Sequence, residues 1–283
     1  MARTHENSTL QLPMTTELDA WRTDYIGKLT APYGWWAVTN LAWLEEGDNL
    51  LGSDQDARIR LPERLPRRLA NLAFDGTSMT VTPLADGLVH DGKPLPCPLL
   101  VEGDQVLFFG QGENPVRINL IKRGDLCGAR VYDPQATADH DAQAEVAWFE
   151  ADPCWRLDAE FLPPAPGETI DVLNVLGQVT PTPVSGRARF VVDGAEHTLV
   201  ATPAGINGRL FFNFRDATNR TLTYGGGRFL NVDGPVNGRI VLDFNYAHHP
   251  PCAHTPYATC PTPSEENRLP IAVLAGERYP KPL

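Results

Sequence analysis

The sequence predicts an all-β protein with one N-terminal helix: an N-terminal β-sandwich followed by a C-terminal β-sandwich or barrel. Three features predict it. Short alternating or apolar segments recur along the chain at the close spacing of a sandwich or barrel. Asp91-Gly92, Asp193-Gly194, Asn207-Gly208 and Asn237-Gly238 stand between them, dipeptides that fit the left-handed residues of tight turns. The 26 prolines and 24 glycines among 283 residues supply many more chain reversals.

The elements follow in order. Leu18, Trp21, Tyr25 and Leu29 recur at helical spacing and form a stripe able to dock on a domain. Thr16 and Asp19 read as a capping box at its start, and Pro32 and Gly34 end it. Trp35, Trp36 and Trp43 then supply large aromatic groups for a core or a seam. Strands are expected at Arg58–Leu61, Ser78–Val81, Val106–Phe109 and Val116–Ile121. Ala136–Glu145 is acidic and Ala-rich, a linker or loose helix. A second series of strands runs from Arg156–Phe161 through Ile170–Val175, Gly186–Val192, His197–Ala201, Arg209–Phe214, Arg228–Val232 and Arg239–Asn245. Leu269–Leu274 reads as the last. This divides the chain into a helical and Trp-rich segment (1–48), a first β domain (49–135) and a second (146–283).

Composition narrows the partners. Hydrophobic residues make up 42% of the chain, enough for a real core. A net charge of −11 repels nucleic-acid phosphates and anionic lipid headgroups, so neither is expected as a partner. No apolar run approaches the ~20 residues of a membrane helix. Met1 to Pro13 is polar, without the apolar segment of a secretory signal, so a cytoplasmic location is expected. Five widely spread cysteines do not make a secreted disulfide framework.

Two stretches resemble known families. Leu51-Gly52-Ser53, followed by Arg58-Ile59-Arg60-Leu61, is similar to the opening of a forkhead-associated (FHA) domain. Val89-His90-Asp91-Gly92 and Leu100-Val101-Glu102-Gly103-Asp104 resemble later landmarks of the same family. The resemblance implies an eleven-strand sandwich. Where the family grips phosphothreonine, this chain carries Ser53, Pro66 and Asp86. An aspartate repels a phosphate and proline has no N–H to offer it, so phosphothreonine recognition is not expected. Docking of a protein partner on this sandwich stays open.

Further on, Gly227-Arg228-Phe229-Leu230, Asp243-Phe244-Asn245, Pro250-Pro251-Cys252-Ala253, Tyr257-Ala258-Thr259-Cys260-Pro261 and Asn267-Arg268-Leu269-Pro270 occur in succession. This string resembles the bacterial family known as domain of unknown function 1684. The resemblance implies a shared architecture and no activity. One departure is His248-His249, where Tyr-Asn is expected.

Three chemistries compete for this cluster. The first is a pocket for a small anionic ligand. Arg215 and Arg228 would supply cationic forks, with Tyr224, Asp243, Asn245 and Asn267 orienting the ligand and Gly225–Gly227 allowing close approach. Structural ion pairs, Arg215 with Asp216 and Arg228 with Asp243, are the plain alternative. The second is nucleophilic catalysis, a cysteine-dependent hydrolase or transferase. Cys252 or Cys260 would attack, His254 or His249 would take the proton, and Asp243 or Asn245 would orient the histidine. The third is a metal site drawn from His248, His249, Cys252, His254 and Cys260, types that zinc favours but without a zinc-ribbon spacing. No cofactor signature is present. A purely structural interaction module is the remaining reading.

Overall fold

The computed structural model describes residues 12–95, 97–205 and 208–280. The chain forms two compact units. One is Gly27–His140; the other joins the chain up to Ile26 with Asp141–Leu283.

The Gly27–His140 unit is a sandwich of eleven strands, the number that the forkhead-associated resemblance implies. Six form one sheet, in the order Val38–Trp43, Leu126–Tyr132, Val116–Arg123, Gln105–Phe109, Leu88–His90 and Lys93–Pro94. Five form the other, in the order Ile59–Arg60, Gly47–Gly52, Ala70–Phe74, Met79–Pro83 and Leu99–Val101. Side chains alternate across a strand, so Val116, Ile118 and Leu120 enter the core while Arg117 and Asn119 turn away from it. Leu51, Ile59, Leu72, Val81 and Leu107 meet them from both sheets.

The sandwich takes in residues from before position 49, because Val38–Trp43 pairs antiparallel with Leu126–Tyr132. Trp36 is buried and stacks on His140 at 4.7 Å, and the Arg130 guanidinium lies over Trp35 at 5.3 Å. These tryptophans therefore pack.

The helix spans Leu12–Thr30, so Thr16 sits inside it and does not cap it. The apolar stripe is oriented as its spacing predicts: Leu18 and Leu29 are buried. The segment expected as linker or loose helix contains a 3-10 turn at Pro134–Asp139 and a single helical turn at Ala142–Glu145. Asp133 and Asp141 cap these through the N–H groups of Gln135 and Gln143.

The second unit is built on a six-stranded antiparallel half-barrel. Its strand order is Arg228–Val232, Leu210–Phe214, Ala195–Pro203, Gly186–Val192, Arg156–Leu162 and Arg239–Asp243. Phe190, Phe212, Phe214 and Phe244 fill its hollow with Leu199 and Leu230. A separate hairpin pairs Thr169–Leu173 with Val179–Pro183, and Ala147–Trp148 pairs with Glu277–Arg278.

Leu269–Leu274 is not a strand, contrary to the sequence expectation. Pro270 has no N–H for a ladder, and the segment is bonded elsewhere. Leu269 N–H donates to the Arg215 carbonyl, and the Val273 carbonyl accepts from the Arg228 side chain. The turn dipeptides behave as read: Asp91, Asp193 and Asn237 have φ of 50°, 51° and 51°, each followed by a glycine in the same region. Asn207 lies outside the described residues. Among the described residues no helix is long and apolar enough to cross a membrane.

Gly52 tests the sandwich. A methyl group there would stand 1.9 Å from the Arg67 carbonyl oxygen, on the chain that passes alongside. Gly52→Ala is expected to destabilise by at least the ~1–3 kcal/mol typical of overpacking. A urea titration followed by tryptophan fluorescence would measure it, and an unchanged midpoint would contradict this packing.

Candidate functional site

The strand Leu210–Phe214 divides its side chains by alternation. Leu210, Phe212 and Phe214 enter the core of the half-barrel. Phe211 and Asn213 face the other way, and Arg215 is the next residue in that register. On that face lies a cleft of about 210 Å³. Ile170 and Val172 of the separate hairpin form one wall, and Phe211, Asn213, Pro261 and Ser264 contribute to the rest.

The cleft is mostly apolar, with a few polar atoms left unmatched. Asn213 is only 8% exposed; its Nδ2 donates to the Pro261 carbonyl at 3.1 Å, while its Oδ1 has no hydrogen-bond partner. Ser264 Oγ, also in the lining, is likewise buried and unpartnered. A buried polar atom without a partner costs about 1–3 kcal/mol. Arg215 Nε is a third such atom, on a residue outside the lining but bonded through its backbone to the lining residue Asn267.

Charge accumulates beside it. Arg215 pairs with Arg268 in a short β-bridge, and its N–H donates to the carbonyl of Asn267, a lining residue, at 2.8 Å. Burial lowers the pKa of Arg215, and the neighbouring Arg268 and Arg220 charges lower it further. An anion bound here would relieve that repulsion.

Several predicted site residues serve the fold instead. Arg228 is fully buried and pairs with Asp216, Nη2 to Oδ2 at 2.5 Å, rather than with Asp243. Its Nη1 donates to the Ala275 carbonyl and Nη2 also to that of Val273. Asp216 accepts in addition from the Thr218 N–H and hydroxyl, at 2.8 and 2.6 Å. Asp243 pairs with Arg156 at 3.2 Å and caps the turn at Phe244–Tyr246. Asn245 exchanges two hydrogen bonds with the backbone of Asp152. Asn267 bonds both backbone groups of Val200 as well as the Asn213 carbonyl. The glycine run accommodates protein, not ligand: a Cβ on Gly226 would strike the Tyr224 ring, and one on Gly227 would strike Pro263.

The cysteines do come together. Cys252 N–H donates to Cys260 Sγ at 3.2 Å, and the Cys252 sulfur is hydrogen-bonded to the Cys260 thiol and the Tyr224 hydroxyl. The Cys260 contact is the largest influence on Cys252, and together with Tyr224 it outweighs burial and lowers the thiol to about 7. Burial, then the bond to Cys252, pushes Tyr224 well above its ordinary value.

The histidines belong to a different network. Glu277 is buried, accepting from Tyr25 Oη at 2.9 Å and from the His249 N–H at 2.7 Å. Its other oxygen faces His249 Nδ1 at 3.4 Å and His254 Nε2 at 3.5 Å. Tyr25 Oη also meets His254 Nε2 at 2.9 Å. Glu277 is thus the carboxylate that faces His249 and His254, the part expected of Asp243 or Asn245. Trp21, Tyr25, Trp148 and His248 pack ring against ring around it. Burial pushes His248 below its ordinary value, toward the neutral form. Among the described residues no group of three His, Cys, Asp or Glu is placed to hold a metal ion.

Sequence reasoning gave no site role to Asn213, Ser264, Arg268, Tyr25 or Glu277. Only the Phe211-x-Asn213-x-Arg215 alternation carried a usable signal. On the other unit, Ser53 Oγ donates to the Leu65 carbonyl at 2.8 Å, its N–H to the Pro66 carbonyl at 2.9 Å, and Asp86 is exposed.

A family model described as a protein of unknown function (DUF1684) matches residues 142–278. A comparison with curated proteins gave no match. Among solved structures, an uncharacterized protein of Haloarcula marismortui is 31% identical over 51% of this chain and 80% of its own, with a TM-score of 0.41. The FhaA FHA domain, solved with the intracellular domain of Rv3910, is 20% identical over 32% of this chain and 94% of its own, with a TM-score of 0.24. A further FHA domain, from work on phosphothreonine-dependent interactions, is 20% identical over 32% of this chain and 90% of its own, with a TM-score of 0.24.

Two measurements probe the buried charges. Arg228→Ala leaves Asp216 unpaired in the core and is expected to cost about 3–5 kcal/mol in chemical denaturation. Glu277 behaves differently with pH. Burial raises its pKa, but His249 and His254 outweigh burial and hold it at about 2, against an ordinary 4.5. A carboxylate lowered on folding stabilises fully above its unfolded value, and that stabilisation fades as pH falls through the folded one. Unfolding free energy is therefore expected to drop between about pH 5 and pH 2 more steeply in the native chain than in Glu277→Gln.

Proposed function

The chain belongs to this DUF1684 family of proteins of unknown function, with an FHA-like N-terminal half, and we propose that its C-terminal unit binds a small molecule with an apolar body and an anionic group. The observation that carries the reading is the pair of buried, unpartnered atoms in the lining of one apolar cleft, Asn213 Oδ1 and Ser264 Oγ, with Arg215 Nε unpartnered on a residue bonded to the lining residue Asn267. Each is a group that folding leaves unsatisfied and a ligand would satisfy. Ile170, Val172 and Phe211 would hold the apolar body. Arg215 would meet the anion, supported by the charges of Arg220 and Arg268. Asn213 Oδ1 accepts, so it favours a ligand that also presents an O–H or N–H.

Volume limits the occupant. The cleft measures about 210 Å³, below the roughly 300–1,000 Å³ of drug-sized sites. A short-chain or single-ring carboxylate fits better than a long lipid. Arg228 plays no direct part, since its donors are engaged within the protein. The FHA-like sandwich is proposed as scaffold or protein-docking surface without phosphothreonine recognition, because the positions that would grip the phosphate are Ser53, Pro66 and Asp86. A 10 mM phosphothreonine titration is not expected to shift its amide resonances, at roughly the scale where even weak specific binding would show.

Octanoate and octanol, titrated calorimetrically against the intact chain, test the ligand reading. Octanoate is expected to bind and octanol to bind more weakly. Arg215→Ala is expected to weaken octanoate by tenfold or more, the loss of a charge-assisted hydrogen bond of about 1.5–3 kcal/mol, with no change in melting temperature. Equal binding of octanoate by the native chain and Arg215→Ala would reject the anion subsite. Loss of octanoate in Ile170→Asp, at unchanged stability, would place the apolar body against the hairpin.

A further inference from the structure

Five cysteines are present, and two of them differ from the other three in having a thiol beside them. Cys97 is exposed. Cys127 is buried, and burial pushes its thiol up. Cys154 is exposed, and a hydrogen bond and charge from Asp152 push its thiol up as well. Cys252 and Cys260 instead lie against each other at the edge of the half-barrel. Proline neighbours restrict the backbone on the outer side of each, Pro251 before Cys252 and Pro261 after Cys260. The N–H of Cys252 points at the Cys260 sulfur at 3.2 Å, and the Tyr224 hydroxyl bonds the Cys252 sulfur.

We propose that Cys252 and Cys260 are a reversible dithiol that reduces hydroperoxides, with Cys252 as the attacking thiol and Cys260 as the resolving one. The division of roles follows from exposure and contacts. Cys252 is half-buried and reachable, whereas Cys260 is buried behind it. Donors surround the sulfur of Cys252 and stabilise its thiolate, the form that reacts. Its lowering to about 7 means that a substantial fraction is ionised at neutral pH. Tyr224 stays protonated there, so its O–H remains available as a donor.

The chemistry balances in two steps. The Cys252 thiolate attacks the distal oxygen of the hydroperoxide. An S–O bond forms, the O–O bond breaks, and the departing alkoxide or hydroxide takes a proton to leave as alcohol or water. Sulfur loses two electrons and the peroxide gains them. The Cys260 thiol then attacks the sulfenic sulfur, the S–S bond forms, and water departs with the thiol proton. A small-molecule thiol restores the pair by two exchanges, itself becoming the disulfide. This activity is independent of the cleft: neither cysteine lines it.

The test uses the intact, fully reduced chain, hydrogen peroxide as the oxidant and N-ethylmaleimide as the quench. The expected product is lighter by about 2 Da, with a Cys252–Cys260 cross-link in the peptide map and two fewer alkylated cysteines. Cys97, Cys127 and Cys154 should stay alkylated. In Cys260→Ser, Cys252 should instead gain about 16 Da and be captured by dimedone, because the resolving thiol is gone. In Cys252→Ser, Cys260 should oxidise at least tenfold more slowly. Equal oxidation rates at Cys154 and Cys252 would overturn the proposal. So would direct conversion of Cys252 to sulfinic acid without a cross-link in the native chain, or unchanged reactivity of Cys260 in Cys252→Ser. Octanoate binding measured on the same samples reports on the cleft separately, so either reading can fail alone.

Discussion

Arg228 and Asp216 expose no side-chain surface, and between them they gather three parts of the C-terminal unit. Arg228 stands on an edge strand of the half-barrel, and Asp216 begins the loop that leads to Tyr224. The Val273 and Ala275 carbonyls bring the C-terminal segment to the guanidinium. Thr218 closes the loop by donating to the carboxylate. Removing two charges from water is costly, and the pair is tolerable only because nearly every donor and acceptor is matched. The network also fixes what lies next to it. Arg215 precedes Asp216 directly, so the direction of its side chain is set by an ion pair in which it takes no part.

This arrangement separates two kinds of arginine on an acidic protein. Arg228 is neutralised inside and gives shape. Arg215, Arg220 and Arg268 are grouped near an open cleft, where like charges raise one another's energy. Two kinds of polar residue separate in the same way. Asn267 uses its amide fully, bridging strands, whereas Asn213 uses half of its own. Nothing in residue type distinguishes the members of each pair; the distinction lies in which partners the fold brings within reach.

That is why the fold was far more legible in the sequence than the site. The turns at Asp91, Asp193 and Asn237 are local: two residues that tolerate left-handed backbone specify them almost alone. The helix stripe and the strand alternation are local too. The apparent strand at Leu269–Leu274 misled because its apolar residues suit a strand, while Pro270 and the demand of Arg228 for carbonyls decide otherwise. The ion pairs were assigned to the wrong partners for the same reason, since Arg228 meets Asp216 rather than Asp243 only through a loop closure that spacing does not encode. Glu277 was invisible. It is one acidic residue near the end of the chain, and its significance comes from Tyr25, 252 positions earlier.

The Tyr25–Glu277 contact has a consequence for how the molecule is made. The C-terminal unit is assembled from two pieces of chain, with the whole eleven-strand sandwich between them in sequence. At a synthesis rate of 5–20 residues per second, the segment bearing Tyr25 emerges roughly 12–50 s before its carboxylate partner exists. A helix of 19 residues is marginal by itself in water. During that interval Leu18, Trp21 and Tyr25 present an apolar stripe with no native surface to receive it, while the sandwich that follows can already close on its own core. The order of emergence has the helix made before the sandwich and its carboxylate partner made after it.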